Sequence, residues 1–128
     1  MMDTLNGGDL ALVTLFDYRL GAPERGDVVE CRFPSREGTY LKRLIGLPGE
    51  TIEIINGRTC IDGVPLSEPY ASGPAGNYRA ELGPDEYLVL GDNRGESYDS
   101  RAEDMGMIHK GDILGRVRWA LWPFRSIH

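Results

Sequence analysis

Thr51-Ile52-Glu53-Ile54-Ile55 runs into Asn56-Gly57, and Arg58-Thr59-Cys60-Ile61 follows at once. An Asn-Gly pair between two β-rich runs accepts positive φ at both turn positions and closes a two-residue hairpin, so this part of the chain is read as antiparallel β. The same grammar recurs along the sequence. Asp9–Phe16 is a short apolar run, and Asp27–Phe33 lies between Gly26 and Pro34. Thr39–Ile45 is closed by Gly46-Leu47-Pro48-Gly49, Glu86–Leu90 runs into Gly91-Asp92, and Asp112–Trp122 is stopped by Pro123. Each is short and bounded by turn residues, and none carries a sustained helical period. With 17 glycines and 8 prolines in 128 residues, turns are more frequent than the roughly 12% Gly plus Pro of an average chain would give. The reading is a single domain over residues 1–128, mainly β, with antiparallel sheets and little helix. The Gly-, Pro-, Ser- and Asn-rich stretch from Ser67 to Pro84 is read as a flexible loop or flap.

Composition narrows the chemistry. A net charge of −6 argues against a nucleic-acid binder, which neutralises phosphates with a basic stripe, and equally against docking on anionic lipid. No apolar run reaches the 18 or so residues that span a bilayer. The 2 cysteines, Cys31 and Cys60, have no CxxC spacing, and with only His109 and the terminal His128 beside them a four-ligand zinc site is not favoured. No metal or other cofactor is expected. Each cysteine stands where a strand residue would serve, which favours buried free thiols over a disulfide. His109, in a polar stretch beside Lys110 and Gly111, reads as a surface residue.

Lysine is the informative rarity, because of 14 basic residues only Lys42 and Lys110 are lysines. Alternation along Tyr40–Leu44 puts Lys42 on the face of Tyr40 and Leu44, opposite Leu41 and Arg43. A lysine half-buried there loses hydration of its ammonium; bringing it from about 10.4 to between about 7 and 8 costs roughly 4 kcal/mol and makes a base able to deprotonate a hydroxyl. The other reading is a lysine snorkelling to water along an edge strand.

Polar and charged residues crowd Gly91-Asp92-Asn93-Arg94-Gly95-Glu96-Ser97-Tyr98-Asp99-Ser100-Arg101, directly after an apolar strand. Pairing between the acids Asp92 and Asp99 and the arginines Arg94 and Arg101 would lock this loop, leaving Ser97 and Ser100 to present hydroxyls. A solvated polar turn is the alternative.

Taken together, Leu41-Lys42-Arg43-Leu44-Ile45-Gly46-Leu47-Pro48-Gly49 and the segment Gly91-Asp92-Asn93-Arg94 followed by Ser97, Asp99, Ser100 and Arg101 resemble the type I signal peptidase family. Arg25–Val29, the hairpin before Asp62-Gly63, Glu68-Pro69-Tyr70 and Trp122-Pro123-Phe124 extend the likeness in order over nearly the whole chain. The resemblance implies coiled antiparallel sheets in the compact form common in Gram-positive bacteria. It also implies a Ser-Lys dyad that removes signal peptides from secreted preproteins after a small-x-small motif. The enzyme would be anchored once in the cytoplasmic membrane, with its catalytic domain on the extracytoplasmic face. Carried over, Lys42 is the general base and Ser97 orients its amine. Asp99 and Arg101 form a supporting ion pair, and Gly91, Asp92, Asn93 and Arg94 shape the site.

The family's nucleophile box, S-M-x-P-T-L, is met by Met1-Met2-Asp3-Thr4-Leu5 with Asp3 in place of proline. The nucleophilic serine is expected immediately before Met1, so the chain as it stands reads as an inactive fragment trimmed from a membrane-anchored enzyme. Two further readings are a non-catalytic peptide-binding homologue of the same fold, and a related Ser-Lys protease such as a self-cleaving repressor or a pilin-processing enzyme. The spacing from Arg101 to Gly106 is about two residues longer than the family's.

Overall fold

The computed structural model describes residues 11–14, 22–121 and 124–126, with side-chain surroundings over 22–117. The Met1–Leu5 box, the Trp122-Pro123 pair, His128 and the outer residues of the Asp9–Phe16 run lie outside the described residues. Among the described residues the strands are β1 Ala11–Thr14, β2 Val28–Cys31, β3 Tyr40–Gly46, β4 Thr51–Ile55, β5 Arg58–Ile61 and β6 Val64–Pro65. They are followed by β7 Tyr78–Glu81, β8 Glu86–Leu90, β9 Ile108–His109, β10 Ile113–Leu121 and β11 Phe124–Ser126. One 3-10 turn, Lys110–Asp112, precedes β10. The protein is mainly β, and every strand pairing is antiparallel.

Two sheets result. A seven-stranded sheet has the order β1-β10-β2-β3-β8-β9, with β11 on β10, and a four-stranded sheet has the order β6-β5-β4-β7. The hairpin β4–β5 turns at Asn56 and Gly57 with φ of 51° and 83°, as the Asn-Gly pair requires. β3 and β8 bury side chains on both faces and divide the core between them. Leu44 and Val89 join Val29, Cys31, Phe33, Tyr87, Met105 and Ile108 on one face. Ile45, Leu88 and Leu90 meet Ile52, Ile54 and Leu82 on the other, where the second sheet packs. At about 1.5–3 kcal/mol per fully buried aliphatic side chain, these clusters hold the central strands rigid.

The span Ser67–Pro84, read above as one loop, contains β7. Tyr78 and Ala80 are half-buried and Arg79 and Glu81 exposed, and Thr51, Ile52, Glu53 and Ile54 pair with Glu81, Ala80, Arg79 and Tyr78. Four alternating residues between Gly76-Asn77 and Gly83-Pro84 are too few to stand out from their turn-rich neighbours. The remaining segment is tied down as well: Ser72 N donates to Asp92 O at 2.9 Å and Arg94 N to Ser72 O at 2.7 Å. β2 ends at Cys31, short of Phe33, although Arg32 N still donates to Asp112 O at 2.8 Å. No helix of the described residues is long and apolar enough to cross a membrane.

Candidate active site

Strand β3 sets Lys42 opposite Val29 of β2, on the face that carries Leu44. Its side chain does not snorkel outward; the residue is 8% exposed, and its ammonium donates to Ser97 Oγ at 3.1 Å. Burial pulls the Lys42 amine below the ordinary lysine value. The Asp99 charge and the Cys31 thiol oppose that pull, and the Arg101 guanidinium adds to it.

Ser97 reaches the amine because of what Gly91 lacks. A Cβ on Gly91 would stand 1.9 Å from Ser97 Oγ and 2.4 Å from Ser97 Cβ, and only 3.7 Å from Lys42 Nζ. β8 thus delivers a bare backbone against which the serine lies. A turn fixes the serine from the other side, with Ser97 N donating to Asn93 O at 2.8 Å. Asp99 then anchors the loop. Its Oδ2 accepts from Gly91 N at 2.9 Å, and its Oδ1 accepts from Arg101 N at 3.1 Å and Arg101 Nε at 2.9 Å. Arg101 also donates to Arg94 O at 3.0 Å. Burial pushes the Asp99 carboxyl up, but the Arg101 guanidinium and the Gly91 amide outweigh it and hold the group below the usual aspartate value.

The sequence-derived residues therefore converge, with one repartnering. Asp99 pairs with Arg101 as expected, whereas Asp92 pairs with Arg43 and Arg94 pairs with Glu68. Arg43 Nε and its terminal nitrogen reach Asp92 Oδ1 and Oδ2 at 3.0 and 2.8 Å, in a pair only 1% and 0% exposed. Arg94 donates to Glu68 Oε1 and Oε2 at 3.2 and 2.6 Å and to Gly91 O at 2.9 Å. Tyr70 lies between these pairs, its ring 4.1 Å below the Arg43 guanidinium and its hydroxyl on Glu68 Oε2 at 3.2 Å. Arg43, Glu68 and Tyr70 were not assigned these roles from sequence. An arginine on the second apolar face of β3 was a signal that a buried carboxylate must meet it, but the partner stands 49 positions away.

The Arg101–Gly106 segment has its own contact. Asp104 accepts from Arg36 at 2.7 Å and from the Tyr98 hydroxyl, while Arg36 covers the Tyr98 ring at 4.8 Å. The β2–β3 turn is thereby strapped to the residue beside Ser97. His109 is exposed, 3.8 Å from Asp112. Both cysteines are free thiols; Cys31 is buried and pushed by burial up to about 12, while Cys60 is partly exposed rather than buried. No group of three or more His, Cys, Asp or Glu among the described residues could hold a metal ion.

Fold and site together define an antiparallel β protein built around a buried lysine hydrogen-bonded to a partly exposed serine. The sequence pattern of the family described as "Signal peptidase, peptidase S26" matches residues 1–122, and the chain belongs to that family. It is 38% identical over 138 residues to signal peptidase I of Leptolyngbya laminosa, covering 99% of this chain and 66% of that protein. It is 37% identical over 131 residues to a probable signal peptidase I-2 of Synechocystis, covering 96% and 59%. A signal peptidase I from Enterococcus faecalis of known crystal structure superposes with a TM-score of 0.66 at 32% identity, over 73% of this chain and 95% of that one. The chain spans 66% and 59% of the length of these two curated relatives, less than two thirds of each.

Proposed function

We propose that this chain is the catalytic domain of a membrane-anchored type I signal peptidase, a serine endopeptidase that cuts signal peptides from exported preproteins on the outer face of the cytoplasmic membrane. The observation that carries the reading is the Lys42 amine, buried and held by the Ser97 hydroxyl at 3.1 Å. The nucleophile is a serine joined directly ahead of Met1, where the family's box puts it. The neutral Lys42 amine takes the proton of that hydroxyl as its oxygen attacks the scissile carbonyl carbon, and the serine's own backbone N–H receives the developing oxyanion. The Lys42 ammonium then protonates the departing amine. In the second half the amine deprotonates a water that hydrolyses the acyl-serine.

Each neighbour has a part in that sequence. Burial shifts Lys42 toward its neutral form, Ser97 aims its lone pair, and the Asp99–Arg101 pair with Gly91 keeps Ser97 in place. The edge of β3 supports an extended substrate. β2 pairs with β3 from Tyr40 to Arg43, whereas β8 pairs with it only from Arg43 to Gly46. By alternation the amide groups of Leu41 face the side that β8 has left, and no strand of the described residues pairs with them there. A peptide added at that edge runs past Lys42 through main-chain hydrogen bonds, with small residues, typically Ala-x-Ala, before the cut.

The test joins a serine and an upstream membrane segment to Met1 and follows cleavage of an Ala-x-Ala preprotein in detergent by mass spectrometry, beside a Lys42→Ala version. Cleavage after the small residue that disappears with Lys42→Ala is the expected result. No cleavage by the folded protein, in the presence of an active signal peptidase control, would favour the peptide-binding homologue instead.

A further inference from the structure

The contact between Lys42 and Ser97 is complete within this chain and needs no residue ahead of Met1. Its geometry is that of a base beside a hydroxyl: Nζ and Oγ are 3.1 Å apart, within the reach required for proton transfer. The hydroxyl is also fixed in place. Ser97 N is held by Asn93 O at 2.8 Å, and Oγ lies so close over Gly91 that a Cβ there would stand 1.9 Å from it. Access is graded in the useful direction, because Ser97 is partly exposed while Lys42 behind it is buried. Ser100 has neither property. It is 2% exposed, and its Oγ is occupied by the Val89 amide at 3.1 Å.

We propose that Ser97 is a second nucleophile, able to accept a small acyl group from an activated ester with Lys42 as its general base. When Lys42 is neutral, the Ser97 hydroxyl donates to the Nζ lone pair instead of accepting from the ammonium. Oγ attacks the acyl carbonyl carbon, its proton passes to Nζ, and the bond from the carbonyl carbon to the leaving oxygen breaks. The products are an acyl ester on Ser97, the departing alkoxide or phenolate, and a Lys42 ammonium that returns its proton to water. Hydrolysis of the ester restores the hydroxyl and releases the acid. The groups acting on Lys42 from neighbouring elements are Asp99, Cys31 and Arg101. Burial outweighs the two that raise it, so the neutral amine is reached below the pH at which an exposed lysine deprotonates.

The chain as it stands is sufficient for the test, which makes its outcome separable from that of the peptidase experiment. The protein is mixed with p-nitrophenyl acetate and acid-quenched, and the acetyl groups are located by peptide mass spectrometry while nitrophenolate release is followed optically. The expected result is acetyl on Ser97, abolished by Ser97→Ala and slowed in Lys42→Met by about a hundredfold, the lower range for loss of a general base. Labelling of wild-type Ser97 should level off once Lys42 is neutral, which keeps the test decisive if either variant misfolds. The proposal is overturned if Ser97 is labelled no faster than the exposed Ser67, if the acetyl lands on Lys42 Nζ instead, or if labelling follows hydroxide without levelling.

Discussion

A methyl group on Gly91 would overlap the Ser97 side chain, at 1.9 Å from Oγ and 2.4 Å from Cβ, so Ser97 and an alanine at 91 exclude one another. Gly91→Ala is expected to push Ser97 off Lys42 and to destabilise the fold by about 1–3 kcal/mol, the range for overpacking a close contact. Urea unfolding checks the stability, and loss of the Ser97 acetylation checks the contact. Lys42 carries a stability signature of its own. Its folded-state pKa is lowered, so folding favours the neutral amine, and stability rises as pH climbs from the folded value toward the unfolded value of about 10.4. Lys42→Met should therefore melt above the wild type at about pH 7, with the gap narrowing toward about pH 10 by calorimetry. The position of Lys42 was legible from strand alternation. Its serine partner was not: the loop reading offered both Ser97 and Ser100 as hydroxyls, nothing local connects residues 55 positions apart, and only the resemblance joined Ser97 to Lys42.

Strands with regular alternation and strong turn signals were the legible elements: β4, β5 and β8 begin and end where the sequence reading put them. β7 and the two-residue β6 and β9 were not, since each gains its strand character from the neighbour it pairs with. The same holds for the charges between the sheets. Arg43 and Asp92 were separately visible, but their pairing depends on how β3 and the end of β8 come together. Asp92→Asn removes the charge that the buried Arg43 guanidinium meets at 3.0 and 2.8 Å and should cost about 3–5 kcal/mol in denaturant unfolding. Arg43→Met combined with Asp92→Leu should recover most of that loss, because the double change removes both buried charges. A double variant as unstable as Asp92→Asn would show that the pair does more than neutralise itself.

Across the whole molecule, acid is the condition that unlocks the site. Asp99 and Glu50 are both held below their ordinary values: burial raises each, but Arg101 and the Gly91 amide outweigh it at Asp99, and Arg25 and the Leu47 amide at Glu50. A depressed carboxylate contributes stability that is present above its unfolded pKa, about 3.9 for Asp and 4.3 for Glu, and is lost as pH falls through the folded value. Thermal stability should accordingly decline below about pH 4, and Asp99→Asn should flatten that decline. The measurement closest to the central claim reads Lys42 itself. With only two lysines in the sequence, selective carbon-13 labelling gives two side-chain signals, buried Lys42 and exposed Lys110. The account predicts that the Lys42 signal titrates clearly below the ordinary lysine value of about 10.4, and that Gly91→Ala moves it. A Lys42 signal that titrates near about 10.4 would contradict it.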